Sequence, residues 1–288
     1  YLYVAIFDEG WRLSPPRVRA VSHHNAMHGR DVAWQSAFSR AHPEYAVVDR
    51  HGRHRQWGVL SLAYAEVRRH FIARFVDAIS STVFDGLFVC LRSQSKPARH
   101  GDQYGLNGPA CRAFRRRDGS DPRSEAYDPV AWRRHLGAYL TTFLRELGKA
   151  LRARGRRLAI GAPRGDILGP PLGNSELDWR SWVARDLIDE LIINQNSSQC
   201  PSMWHRLWPM HRGTGYVQSY LDGSGLDALD EQLVNDYAPA AQSLRARVYV
   251  ARQWDAPSPD REASLSALPG LAGLVFSSFR FDNPEAVA

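Results

Sequence analysis

Lysine is nearly absent from the 288 residues: Lys96 and Lys149 are the only two. The net charge of +7 therefore comes from arginine. So strong an arginine bias reads as codon usage in a GC-rich genome. A nucleic-acid footprint would instead be a basic stripe with interleaved aromatics. The runs Arg115-Arg116-Arg117 and Arg152 to Arg157 are short and read as solvated faces. The second falls at a predicted helix C-terminus, where cations favour the dipole. Cysteine is scarce too. Cys90, Cys111 and Cys200 are odd in number and widely spaced, which argues against a disulfide framework and fits no zinc spacing. No stretch approaches the roughly 20 apolar residues of a membrane-spanning helix. There is no glycine-rich phosphate loop, no G-x-S-x-G elbow and no H-E-x-x-H. No repeat of solenoid period is visible. No cofactor is expected, and no compartment can be read.

What is present is organised around Phe84 to Pro109. Asp85-Gly86 is a turn pair. Leu87-Phe88-Val89-Cys90-Leu91 then runs without a polar break, and reads as a strand buried on both faces, as in parallel sheets. Cys90 is expected to be a small core residue. The run ends in Arg92-Ser93-Gln94-Ser95 and a long polar loop. In α/β folds, ligands sit where strands end.

The same pattern recurs. Strand-like runs are Tyr1 to Phe7, the Phe84 run, Leu158 to Gly161, Leu187 to Ile193, Arg247 to Ala251 and Leu274 to Phe276. Between them lie helical patterns: Tyr64 to Ser80, Gly108 to Arg117, Trp179 to Arg185, and a stretch from Leu226 to Leu244 interrupted near Pro239. Leu265 to Leu268 adds a short helical piece. The longest opens at Asp128-Pro129, an N-cap followed by proline at the first helical position, and stops at Gly155. The segment from Asp8 to about Gly58 reads as long and irregular, with Val59 to Ala63 as a short strand. Tyr216 to Leu221 is a further strand candidate. Alternation of strands and helices predicts parallel βαβ units in one domain spanning residues 1–288. Barrels of this type run to roughly 250 residues and have eight strands. Tyr1 begins directly in a strand-like run without an initiator methionine, so the chain is expected to be an excerpt of a longer one.

Most of these strands end in charged or amide groups, and tryptophans lie in the loops. Asp8, Glu9, Asp166 and Asp255 are the carboxylates at strand ends, with Asp102 in the loop after the Phe84 run. Arg92, Arg164, Asn194 and Asn196, with Trp11 and Trp254, would hold hydroxyls and stack on sugar rings. Helix caps and turns also place Asp and Asn after strands, and Asp128 and Asp178 read as caps. Glycoside hydrolysis needs two carboxyl groups across one bond, one as acid and one as nucleophile or base. Asp166 and Asp255 form the first pair to consider. The arginines point to an anionic sugar. His23, His24 and His28 could carry two metal ligands on a helix face, but no carboxylate falls at a standard spacing, and they read as a polar loop cluster.

Several short motifs are similar to the glycosidase barrels of the glycosyl-hydrolase-like group ten type, the family-ten-like glycosidases of bacteria. They are His42-Pro43-Glu44-Tyr45 through Asp49-Arg50-His51-Gly52, Glu66-Val67-Arg68, Phe84-Asp85-Gly86-Leu87, Asp102-Gln103-Tyr104-Gly105-Leu106-Asn107, and Trp182-Val183 through Leu187-Ile188-Asp189-Glu190-Leu191. The resemblance implies a (β/α)8 TIM-type barrel in which Tyr1 to Phe7 is the third strand. The first two strands would then precede Tyr1. It also implies a carbohydrate ligand and polysaccharide hydrolysis. Members carry an acid near the end of the Asp-Gly strand, where this chain has Cys90-Leu91-Arg92. Either another acid such as Asp102 or Asp166 serves, or the barrel binds glycans without cutting them, or it does different chemistry.

Overall fold

The computed structural model describes residues 1–7, 9, 36–91, 104–124, 126–163, 165–168, 175–193, 229–252 and 259–276. The apolar runs do form strands. β1 is Leu2–Ala5. After a short helix α1, Ala37–Ala41, come β2, Ala46–Val48, and β3, Arg55–Leu60. Helix α2, Ala65–Ser80, leads to β4, Gly86–Cys90. Two helices follow, α3 at Gly108–Asp118 and α4 at Pro129–Arg152, and then β5, Arg157–Gly161. Helix α5, Trp179–Ala184, precedes β6, Glu190–Ile193. Helix α6, Leu229–Gln232, passes through a π-helical turn, Leu233–Tyr237, into α7, Ala238–Ala241. β7, Arg247–Arg252, α8, Pro259–Ser266, and β8, Leu271–Phe276, complete the described elements.

Six strands form one sheet in the order β1-β4-β5-β6-β7-β8, all neighbours parallel. Since side chains alternate across a strand, one face carries Leu87, Val89, Leu158, Ile160, Leu191, Ile193, Val248 and Val250, all fully buried. They share a core with Val67, Phe71, Phe75 and Ile79 of α2 and Leu140, Phe143, Leu144, Leu147 and Leu151 of α4. The stripe of α2 at helical spacing is what places that helix here. α4 sits close to the chain that follows it. A Cβ added to Gly148 would meet the Leu187 carbonyl oxygen at 2.6 Å, so only glycine permits the approach.

Asp128 caps α4 as its sequence position predicts, accepting the Val130 amide at 2.8 Å. Asp178 stands at the N-cap of α5, but its side chain makes no cap hydrogen bond; the Asp178 carbonyl accepts the Trp182 amide. Two expectations change. The segment before Gly58 is not irregular throughout, since β2 and β3 pair as an antiparallel hairpin. The helical stretch at Pro239 is not broken either. Proline has no amide hydrogen to donate, and the chain widens into a π turn just before it.

The hairpin is tied down by residues far away in sequence. Asn107, 1% exposed, donates to the Ala46 carbonyl at 2.9 Å and accepts the Val48 amide at 3.4 Å. The amides of Gly105 and Leu106 donate to the Val48 carbonyl. The described end of the Phe84 to Pro109 stretch therefore holds the hairpin through its backbone and one amide side chain.

Candidate functional site at the C-terminal edge of the sheet

Because all six strands are parallel, their C-terminal ends share one edge of the sheet. Of the residues read from the sequence as site candidates, Glu9 and Asp166 are described. Asp8, Trp11, Arg92, Asp102, Arg164, Asn194, Asn196, Trp254 and Asp255 lie outside the described residues, as do His23, His24, His28 and the Tyr216 to Leu221 candidate strand.

Asp166 follows β5 and is half exposed. Its Oδ1 accepts the indole N–H of Trp179 at 2.9 Å and an Arg180 N–H at 2.8 Å. Its Oδ2 has no hydrogen bond among the described residues. Arg180 also grips Asp236, at 3.1 and 2.5 Å, and lies over the Trp179 ring, 4.4 Å from its centroid. Burial works against the Arg180 charge, but hydrogen bonds to Asp236 and Asp166 hold its pKa above the ordinary value. Trp179 stacks on Tyr237 at 4.4 Å, and the Tyr237 hydroxyl oxygen accepts the Gly165 amide at 2.8 Å. Burial pushes the Tyr237 phenol up, with Asp166 and Asp236 adding to the effect. The π turn that carries Asp236 and Tyr237 thus fixes the segment holding Asp166. A half-exposed carboxylate gripped through one oxygen by arginine and indole, with the other oxygen unbonded among the described residues, is a positioned anion that can still accept from a ligand.

Glu9 is different. It is 0% exposed, and its Oε1 pairs with Arg74 of α2 at 2.7 Å. Its Oε2 is buried without a hydrogen-bond partner among the described residues. The Glu9 amide donates to the Gly58 carbonyl, and its carbonyl accepts the Ser36 amide. His70 lies one helical turn before Arg74 and stacks on Phe38 at 3.8 Å; its Nε2 is also buried and unpartnered. Burial holds the His70 pKa down, and the nearby Glu9 charge opposes this in part. Among the described residues no hydrogen bond or ion pair links the Glu9 network to the Asp166 network.

Where the resemblance expects an acid at the end of β4, Cys90 and Leu91 are both fully buried apolar positions. A small cleft lies between the hairpin and α4, lined by Val47, Ser61, Gly105, Leu136, Tyr139 and Ser175. Among the described residues no carboxylate lines it. No group of three metal-ligating side chains occurs among the described residues, and no described helix is long and apolar enough to cross a membrane.

Sequence reading missed Trp179 and Arg180, which donate to Asp166, and Asp236 and Tyr237, which hold Arg180 and the Gly165 amide. Arg180 and Asp236 are 56 residues apart, and no local pattern announces their pairing.

No protein-family model matches this chain, and no curated protein matches it in sequence. Solved structures do. The catalytic domain of a β-amylase from Paenibacillus polymyxa superposes with a TM-score of 0.52 at 11% identity, over 95% of this chain and 75% of that one. The glycoside hydrolase domain of PgaB (BpsB) from Bordetella bronchiseptica matches at a TM-score of 0.40 and 15% identity, over 80% of this chain and 62% of that one. A chitinase from Chromobacterium violaceum matches at 0.27 and 15%, over 66% and 46%. With TM-scores below one half, the latter two do not bear on the fold. The first bears on the fold: this is a mixed α/β chain with a six-stranded parallel sheet, similar in fold to that β-amylase catalytic domain.

Proposed function

We propose that this chain is the greater part of a (β/α)8 barrel of the family-ten-like glycosidase type, acting on a polysaccharide or oligosaccharide by carboxylate acid–base chemistry. The observation that carries the reading is the shared direction of all six strands in a glycoside-hydrolase-like fold, with the candidate residues following those strands in sequence. In such folds function sits at the C-terminal edge. One carboxyl group would protonate the glycosidic oxygen while the other attacks the anomeric carbon or activates water. Asp166 suits the second role, since Arg180 pairs with it through Oδ1 and Oδ2 has no hydrogen bond among the described residues. Asp255 would be the acid, with Asp8 or Glu9 as the alternative. Arg92, Asp102, Arg164, Asn194, Asn196, Trp11 and Trp254 would hold the sugar.

Release of reducing ends from a panel of polysaccharides tests this. Asp166→Asn is expected to lower the rate by about 10²–10⁴-fold, the usual weight of such a group. Unchanged activity in that variant removes Asp166 from the chemistry. A second reading, a barrel that binds glycans without cutting them, is favoured by one fact: both described acids are engaged by arginines, and β4 ends in Cys90 and Leu91 rather than an acid. It predicts saturable binding with no product.

A further inference from the structure

The opposite edge of the sheet carries a cluster that the carbohydrate reading does not use. Arg157, Glu190 and Arg247 are the first residues of β5, β6 and β7, three adjacent strands. The register pairs Ala159 with Glu190 and Glu190 with Arg247, so all three side chains emerge on the face away from α2 and α4. Both guanidiniums converge on one oxygen, Glu190 Oε1: Arg157 Nη2 at 2.8 Å, and Arg247 Nη2 closer still. Glu190 is 6% exposed, whereas the two arginine side chains are 43% and 45% exposed. Tyr1 reaches across β4 and β5 toward Glu190, whose charge adds to burial in pushing the Tyr1 phenol up. It can do so because β4 has glycine there; a Cβ on Gly86 would come within 2.6 Å of the Tyr1 ring. Arg247 also lies 5.7 Å from the centroid of the Tyr249 ring.

The charges do not balance. Two fixed cations share one anion, and Glu190 is the one acid either arginine touches among the described residues. Asp186 and Asp189, just before the start of β6, pair instead with Arg245. Each guanidinium has five N–H donors and spends one nitrogen on Glu190, which leaves a half-exposed fork on either side. A buried carboxylate that aims two such forks at one spot preorganises them without neutralising them.

We propose that Arg157 and Arg247 form a binding site for one further oxyanion, a carboxylate or phosphate group, at the N-terminal edge of the sheet face that points away from α2 and α4. Glu190 and Tyr1 position the two guanidiniums. The oxyanion has two possible sources, a free small anion or an acidic side chain on a polypeptide segment that covers this face. The site lies at the edge opposite the carbohydrate candidate and stands or falls independently of it.

Arginine-directed modification with phenylglyoxal, mapped by peptide mass spectrometry, tests this on the unaltered chain. Inorganic phosphate, compared with sodium chloride at equal ionic strength, is expected to slow modification of Arg157 and Arg247 several-fold. Arg154, at the same end of the sheet but outside the cluster, should be unaffected. Equal rates at all three arginines overturn the proposal. A second measurement titrates phosphate by calorimetry. Arg247→Lys keeps the charge but loses the fork and should weaken binding about tenfold, whereas Arg154→Gln should leave it unchanged; an unweakened Arg247→Lys contradicts the proposal. The source is read by repeating the modification with any longer form of the protein in the absence of phosphate. Protection there identifies an acidic side chain, and protection only on adding phosphate identifies a free anion.

Discussion

The two faces of the six-stranded sheet are held by different physics. On one face, Leu87, Val89, Leu158, Ile160, Leu191, Ile193, Val248 and Val250 are fully buried under α2 and α4. On the other, Ala159, Ile192 and Ala251 form a small cluster with Phe88 and Tyr249, Tyr3 stacks on Phe88 while 49% exposed, and ions sit at the N-terminal edge. Apolar area removed from water stabilises the first face. The second face has partly buried rings and a charge cluster, whose strength depends on salt and on its partners. Each helix covers the strands beside it in the chain, so the first face can form from local βα packing.

The largest difference is expected from truncation. Phe143→Ala under the helices should cost about 3–5 kcal/mol in urea unfolding, whereas the half-exposed Tyr3→Ala on the other face should cost below about 1 kcal/mol. Equal costs would mean that the second face is packed as tightly at Tyr3 as the first is at Phe143. Next comes the hairpin, which hangs on a polar clamp. Asn107→Ala leaves the Ala46 carbonyl and the Val48 amide without their side-chain partner and should cost about 2 kcal/mol, with faster amide exchange in β2 and β3 as the local signature. A smaller effect is expected at the ion cluster. Glu190→Gln leaves two half-exposed guanidiniums facing each other and should cost about 1 kcal/mol, recovered in part by high salt.

The smallest effect concerns pH. His135 is buried, and burial holds its pKa below the ordinary value of about 6.5 even though it bonds the Ala110 carbonyl at 3.0 Å. The unfolded chain then binds the proton first as pH falls. Stability is complete above about pH 6.5 and declines below it, until the native pKa is passed, by at most about 1.4 kcal/mol per pH unit. Urea midpoints at pH 7.5 and 5.5 should differ in that direction, and His135→Gln should reduce the difference. A midpoint that rises on acidification would contradict the assignment.

Much of the sheet was legible because its strands are buried on at least one face and read as unbroken apolar runs. Gly86–Cys90 and Arg157–Gly161 are examples, and Cys90 sits in the core as its run implies. The Asp128-Pro129 start was legible because capping is a local interaction. The hairpin was not. Ala46–Val48 is three residues among histidines and arginines, and what makes it a strand is an asparagine about sixty positions later. The ion cluster was equally invisible, since the register of β5, β6 and β7 brings together three residues that look unremarkable in sequence. The grip of Arg180 on Asp166 and Asp236 depends on the same kind of non-local placement.

The most direct test of the central claim is hydrogen exchange of the chain with and without the polysaccharide that binds it best from a panel. The account predicts saturable binding, with exchange slowed in the segments that follow β4, β5, β6 and β7 and unchanged where those strands begin. Failure of every polysaccharide to bind, or slowing confined to the edge that carries Arg157 and Arg247, would contradict it.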